Sequence, residues 1–266
     1  MTKAVALSIP DGDQNAKITL VLYAPSPKGL AIESIYPLII ISHGSGGNAQ
    51  THRQLATGLA ERGYRVAVPN HPGNTTGDDG LAFTEQNLVN RPRHLKLVID
   101  QLAAEGHCEG GVVLIGHSIG AASVLALGGG RMTTLSRESE GRRPKLLPDF
   151  SGPRVRALVL LAPALFWYKA KGALAGLSAP VLMMQAERDE ILPLGQGNIL
   201  RRGLRQGLDF RERLVPGAGH FSFLSPFPPK RVSADFPPSQ DPPGFDRAAF
   251  QADLVDEVAA FIAAVI

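Results

Sequence analysis

The chain has 266 residues, 44% of them hydrophobic and 19% charged, which suits one large domain with a sizeable core and excludes a small stapled scaffold. A single cysteine, Cys108, rules out an intrachain disulfide and fits a reducing compartment; the net charge of +3, with a pI of about 9.1, is not gathered into one basic run, so no nucleic-acid partner is expected. No stretch approaches the roughly 18 apolar residues of a membrane span, and the first residues lack an apolar signal core, so neither a span nor a signal peptide is expected and the sequence as it stands reads as cytoplasmic.

Residues 4–9 and 18–24 alternate like an antiparallel hairpin. Residues 37–42 (PLIIIS) then form the first continuous apolar run, as strands buried on both faces of a parallel sheet do. The run leads into His43-Gly44-Ser45-Gly46-Gly47, a loop whose glycines let backbone N–H groups turn inward. It lacks both the Lys-Ser/Thr ending of a phosphate-binding loop and the G-x-G-x-x-G spacing. Residues 51–62 carry Leu55 and Leu59 one helical turn apart and stop at Gly63. A second run, 64–69, follows and ends in Asn70-His71-Pro72-Gly73-Asn74. The next helix is predicted over 91–105, with Leu95, Val98, Ile99 and Leu102 on one face and Gly106 as its stop.

Residues 111–116 (GVVLIG) run into Gly116-His117-Ser118-Ile119-Gly120 and then into the helix-forming Ala121–Leu127. The pattern G-x-S-x-G is weak alone. Between a buried strand and a helix it describes a nucleophile elbow, where the glycines relieve clashes and the serine oxygen stands at a helix N-terminus. Ser118 is therefore the candidate nucleophile. The polar, basic stretch 128–153 reads as an insertion. Strand-like residues 155–162 precede Phe166-Trp167-Tyr168, which fit either a pocket wall or ordinary core packing.

A serine nucleophile needs a base, and the base needs an orienting carboxylate. Of seven histidines only His220 follows Ser118, in the glycine-rich turn 216–221 after the strand-like 208–215. The strand 180–186 ends in Glu187-Arg188-Asp189-Glu190. Asp189 is the expected acid, with Glu187 and Glu190 as rivals. Ser45 and Ile119 are the expected backbone donors of an oxyanion hole. His43, His52, His71 and His94 show no compact ligand spacing, so no metal and no cofactor are expected. Residues 221–245 hold seven prolines and read as an irregular loop; with 128–153 it either walls a pocket or is plain surface. A final helix follows Asp246, a fitting N-cap, with Phe250, Leu254, Val258 and Ile262 in one stripe.

The order of runs predicts a mostly parallel, doubly wound α/β sheet with antiparallel N-terminal strands, in a single domain spanning 1–266. The set HGSGG, GHSIG, ERDEILP and GAGHFSF resembles the α/β-hydrolase superfamily, and the resemblance implies the α/β-hydrolase fold. The segments Asn70–Asn74 and Asp241-Pro242-Pro243-Gly244-Phe245-Asp246-Arg247 resemble its predicted dienelactone hydrolase group, related to platelet-activating-factor acetylhydrolases. Dienelactone hydrolases use a cysteine nucleophile where this chain has Ser118, so the resemblance implies a small-molecule carboxylic ester with a short acyl group rather than a dienelactone. The same triad would also serve a thioesterase, an amidase or an acyltransferase. A catalytically silent binding module on this fold is the reading from another class, and the complete triad argues against it.

Overall fold

Isoleucine, valine and leucine dominate the central runs marked as strands, and the structure buries those runs on both faces. A computed structural model describes residues 3–25 and 36–266. The leading hairpin is β1 (Ala4–Asp11) and β2 (Ala16–Tyr23). The parallel strands are β3 (Leu38–Ser42), β4 (Arg65–Pro69), β5 (Val112–His117), β6 (Val155–Leu161), β7 (Val181–Ala186) and β8 (Phe210–Val215). They lie in one eight-stranded sheet in the order β1-β2-β4-β3-β5-β6-β7-β8, with β1 and β2 antiparallel as expected. The order reverses around β3, and such a switch opens a crevice at the carboxyl ends of the strands.

Alternate residues of each strand feed two cores. Ile40, Leu114, Leu158 and Leu160 pack under α2 (Glu85–Ala104) and α3 (Ile119–Leu127). Ile39, Ile41, Val113, Ile115 and Val159 pack under α1 (Arg53–Glu61) and α5 (Arg247–Val265). Asp246 caps α5, its carboxylate accepting from the Ala249 N–H at 3.0 Å. The edge strand β8 carries Arg211, Glu212 and Arg213, charges that discourage edge-to-edge pairing.

Two helices differ from the sequence reading. α2 begins at Glu85, six residues before the expected start, with Thr84 as its N-cap accepting from the Asn87 N–H at 3.1 Å. The apolar period fails over its first turns because Asn87, Asn90 and Arg91 are buried against a polar loop rather than against the sheet. Pro92 sits inside this helix and removes one backbone donor. α4 (Gln196–Gly203), unmarked in the sequence, buries one short turn through Leu200.

Register brings the functional loops together. Ser42 is opposite Gly116, so the loop after β3 lies beside the turn after β5. Ala186 is opposite Val215, so the acidic turn after β7 lies beside the histidine turn after β8.

Candidate active site

Ser118 stands between β5 and α3 with φ 55° and ψ −123°, a conformation that costs a non-glycine residue about 1–3 kcal/mol. Three backbone bonds hold it there. Its N–H donates to Leu161 O at 3.0 Å, and its carbonyl accepts from Ala121 N at 3.0 Å and Ala164 N at 3.1 Å. The flanking glycines are required by contact. A Cβ on Gly116 would overlap the Gly120 carbonyl, and one on Gly120 would overlap Ser42 O and lie 2.8 Å from His43 O. Gly120→Ala is therefore expected to destabilise the fold by about 3 kcal/mol, because backbone cannot give way as a side chain can. Gly46→Ala, at φ +67° with open space around it, should cost only about 1 kcal/mol of backbone strain. Urea midpoints of the two variants check the ranking.

His220 and Asp189 meet as expected. His220 Nδ1 lies 2.9 Å from Asp189 Oδ2, and both side chains are nearly fully buried. The other Asp189 oxygen accepts from Ile191 N at 3.0 Å and Leu192 N at 2.7 Å, which fixes the carboxylate plane. The rival carboxylates hold the histidine turn by its backbone instead. Glu190 accepts from His220 N at 2.9 Å and Glu187 from Gly217 N at 2.8 Å. His117, beside the nucleophile, donates from Nε2 to His220 O at 3.1 Å. Ser222 bonds Gly219 N and Asp241, and Asp241 pairs with Arg247 at 2.8 Å, so the DPPGFDR segment braces the same turn.

The loop after β3 presents its N–H groups beside the elbow. Neither Ser45 N–H nor Ile119 N–H donates to an acceptor among the described residues. Gly44 packs so closely that a Cβ there would stand 2.9 Å from the His117 ring and 3.2 Å from Ser118 Cβ. The Asn70–Asn74 segment braces the loop from behind. Asn70 Oδ1 accepts from Ala49 N at 2.7 Å, His71 Nε2 lies 2.9 Å from Ser42 Oγ, and Asn74 donates to Ser45 Oγ at 2.9 Å. His43 Nδ1 donates to Gly44 O at 2.7 Å. Burial holds His43, His71 and His117 well below the ordinary imidazole range and His52 and His94 near 4, so all are neutral at pH 7. Although these rings cluster, no group of three or more metal-ligating side chains occurs among the described residues.

Residues 38–164 match the family model described as the alpha/beta hydrolase family. A ferulic acid esterase from Streptomyces cinnamoneus superposes on the whole chain and 89% of its own, with a TM-score of 0.67 at 22% identity. A dienelactone hydrolase-like promiscuous phosphotriesterase from metagenomic libraries covers 98% of both chains with a TM-score of 0.66 at 15% identity. The fold is that of the α/β-hydrolase superfamily. Among curated proteins, the uncharacterized protein YfhR of Escherichia coli is 27% identical over 182 residues, which is 64% of this chain and only 58% of that relative.

Within this fold, Ser118 and His220 line one cavity of about 570 Å³. Both segments left open in the sequence reach it: Arg137 and Glu138 come from 128–153, and Phe227 and Phe236 from the proline-rich 221–245, which also contains 3₁₀ turns at Pro229–Arg231 and Pro237–Ser239. Phe166 and Trp167 line the cavity too, Trp167 held by an Nε1–H bond to Glu138 at 2.8 Å. Tyr168 instead belongs to the core, its hydroxyl donating to Ala122 O at 2.6 Å. Cys108 is half-buried, bonds toward Ile99 O, and is pushed by burial up to about 11, far from thiolate chemistry at neutral pH. Among the described residues no helix is long and apolar enough to cross a membrane. Two contributors escaped the sequence reading: Arg91, taken only as a helix start, and His117, taken only as the variable position of the motif.

Proposed function

We propose that this protein is a serine hydrolase that cleaves carboxylic esters through an acyl-enzyme, with Ser118 as nucleophile, His220 as base and Asp189 as its orienting acid. One observation carries the reading: an imidazole bound at Nδ1 by a buried carboxylate shares a cavity with a serine strained onto an elbow. Asp189 holds the Nδ1–H tautomer and leaves Nε2 free to take the Ser118 proton as Oγ attacks the ester carbonyl. The oxyanion is received by the N–H groups of Ser45 and Ile119, the latter at the N-terminus of α3. His220 then protonates the leaving alcohol. Water, deprotonated by the same imidazole, attacks the acyl-enzyme, and Ser118 recovers its proton as the acid departs. The aromatic lining and volume of the cavity support an ester with a bulky aromatic group in addition to a short acyl chain. The dienelactone hydrolase-like group is the part of the superfamily in which we place it.

A fluorophosphonate probe tests the reading. Wild type should gain one phosphonyl adduct, on Ser118, and lose p-nitrophenyl acetate turnover in proportion to labelling. Aryl esters should be hydrolysed with higher kcat/KM than the ethyl ester of the same acid. An adduct on another residue, or turnover that survives complete labelling, would overturn the assignment.

A further inference from the structure

Arg91 is fully buried, yet among the described residues it forms no ion pair. A guanidinium taken out of water without a carboxylate is costly, and an apolar side chain of similar size would ordinarily serve stability better. Burial lowers its pKa to about 9, so it remains charged at neutral pH. Its partners are all neutral and all belong to the walls of the oxyanion site. It donates to His43 O and, at 3.5 Å, to Ser42 Oγ, at the base of the loop that carries Ser45. It donates to Asn74 Oδ1 at 2.7 Å, and Asn74 passes the contact on to Ser45 Oγ. It also reaches Ser123 Oγ at 3.4 Å, and Ser123 donates to Ile119 O at 3.1 Å in the first turn of α3.

One side chain therefore touches both segments that present the two N–H donors. We propose that Arg91 is a positioning residue for the oxyanion hole: its guanidinium ties the Ser45 loop to the first turn of α3 and sets an unpaired positive charge behind both donors. The inference rests on the serine hydrolase reading above. A cation behind the donors favours the charge that develops in the tetrahedral intermediate more than the neutral ester, so its contribution falls on kcat rather than on KM. Lysine would keep the charge but lose the planar fork that reaches Asn74, His43 and Ser123 together.

The test uses the full chain as wild type, Arg91→Lys, Ser123→Ala and Arg91→Met, each checked for native near-ultraviolet dichroism. Three quantities are read: kcat and KM for p-nitrophenyl acetate, and Ki for an aryl trifluoromethyl ketone, which binds as a tetrahedral oxyanion. Arg91→Met should lower kcat about 100-fold, the size of losing one oxyanion donor, raise Ki by a similar factor and leave KM within about threefold. Arg91→Lys should lose about tenfold and Ser123→Ala a few-fold in kcat and in Ki. Should Arg91→Met fail to fold, the other two variants carry the test. Wild type that labels at Ser118 and turns over ester, while folded Arg91→Lys and Ser123→Ala keep kcat and Ki within about twofold, would overturn the role of Arg91 alone. A rise in KM with unchanged Ki would overturn it equally, as the mark of a merely structural residue. Wild type that neither labels at Ser118 nor turns over ester overturns the parent reading, and this one with it.

Discussion

Ser118→Ala and His220→Ala are each expected to lower kcat for ester hydrolysis about 10⁶-fold, and the double variant to be no worse than either alone. The lack of additivity is the informative part. A serine without its base cannot be deprotonated as it attacks, and a base without the serine has nothing to deprotonate, so either loss removes the same step. Asp189→Asn should cost about 10⁴-fold, because an amide facing Nδ1 favours the tautomer that leaves Nε2 protonated and useless as a base. Glu190→Gln should cost less than about tenfold, since Glu190 touches only the His220 main chain at 2.9 Å while Asp189 holds the ring. The kcat values of these variants on p-nitrophenyl acetate separate the rival carboxylates directly. If Glu190→Gln fell as far as Asp189→Asn, the acid would be misassigned, whatever the hydrogen bonds suggest.

The sequence pointed to these candidates because each rests on local grammar. A buried run followed by G-x-S-x-G has few uses, and a chain with one histidine after that serine offers one base. The choice among Glu187, Asp189 and Glu190 was harder, because all three follow the same strand. Only the structure shows that the two glutamates serve the backbone of the histidine turn and Asp189 serves its ring. The fold was legible for the same reason: continuous apolar runs such as residues 111–116 report burial on two faces. What was illegible lies where the polar rule breaks. Asn87, Asn90 and Arg91 erase the apolar period of α2, so its first two turns were missed. They are polar because the surface they cover, the back of the loop after β3, is itself polar. The site and the misread helix thus share one cause. A loop that turns its N–H groups toward the elbow leaves its carbonyls and hydroxyls on the far side, and Arg91, Asn74 and His71 satisfy them.

That buried polar layer sets the pH dependence of stability. The urea midpoint is expected to be nearly flat above pH 7.5 and to fall steeply below pH 6.5. His43, His52, His71, His94 and His117 are all at most 3% exposed, and desolvation is the first cause of each lowered pKa. The sign follows from proton counting. Unfolded imidazoles take up protons at about pH 6.5, whereas the folded ones resist until about pH 4 for His52 and His94, and burial holds the other three well below the ordinary imidazole range. Between those limits the unfolded state binds more protons, so stability rises with pH and is lost as pH falls. Each group contributes a limiting slope of about 1.4 kcal/mol per pH unit, and five together about 7 kcal/mol per unit. Against a total stability of about 5–15 kcal/mol, one to two units below pH 6.5 should unfold the protein. Asp11, which its bond to Arg93 holds below the ordinary carboxylate range, loses its contribution only near and below pH 3.8, outside this window. His52→Phe keeps a ring beside His117, 5.3 Å away, and removes one titrating group, so it should lower the slope by about 1.4 kcal/mol per unit. A midpoint unchanged from pH 8 to pH 5 would mean that the histidines take up protons inside the fold, and the layer behind the loop after β3 would then be open to water rather than sealed.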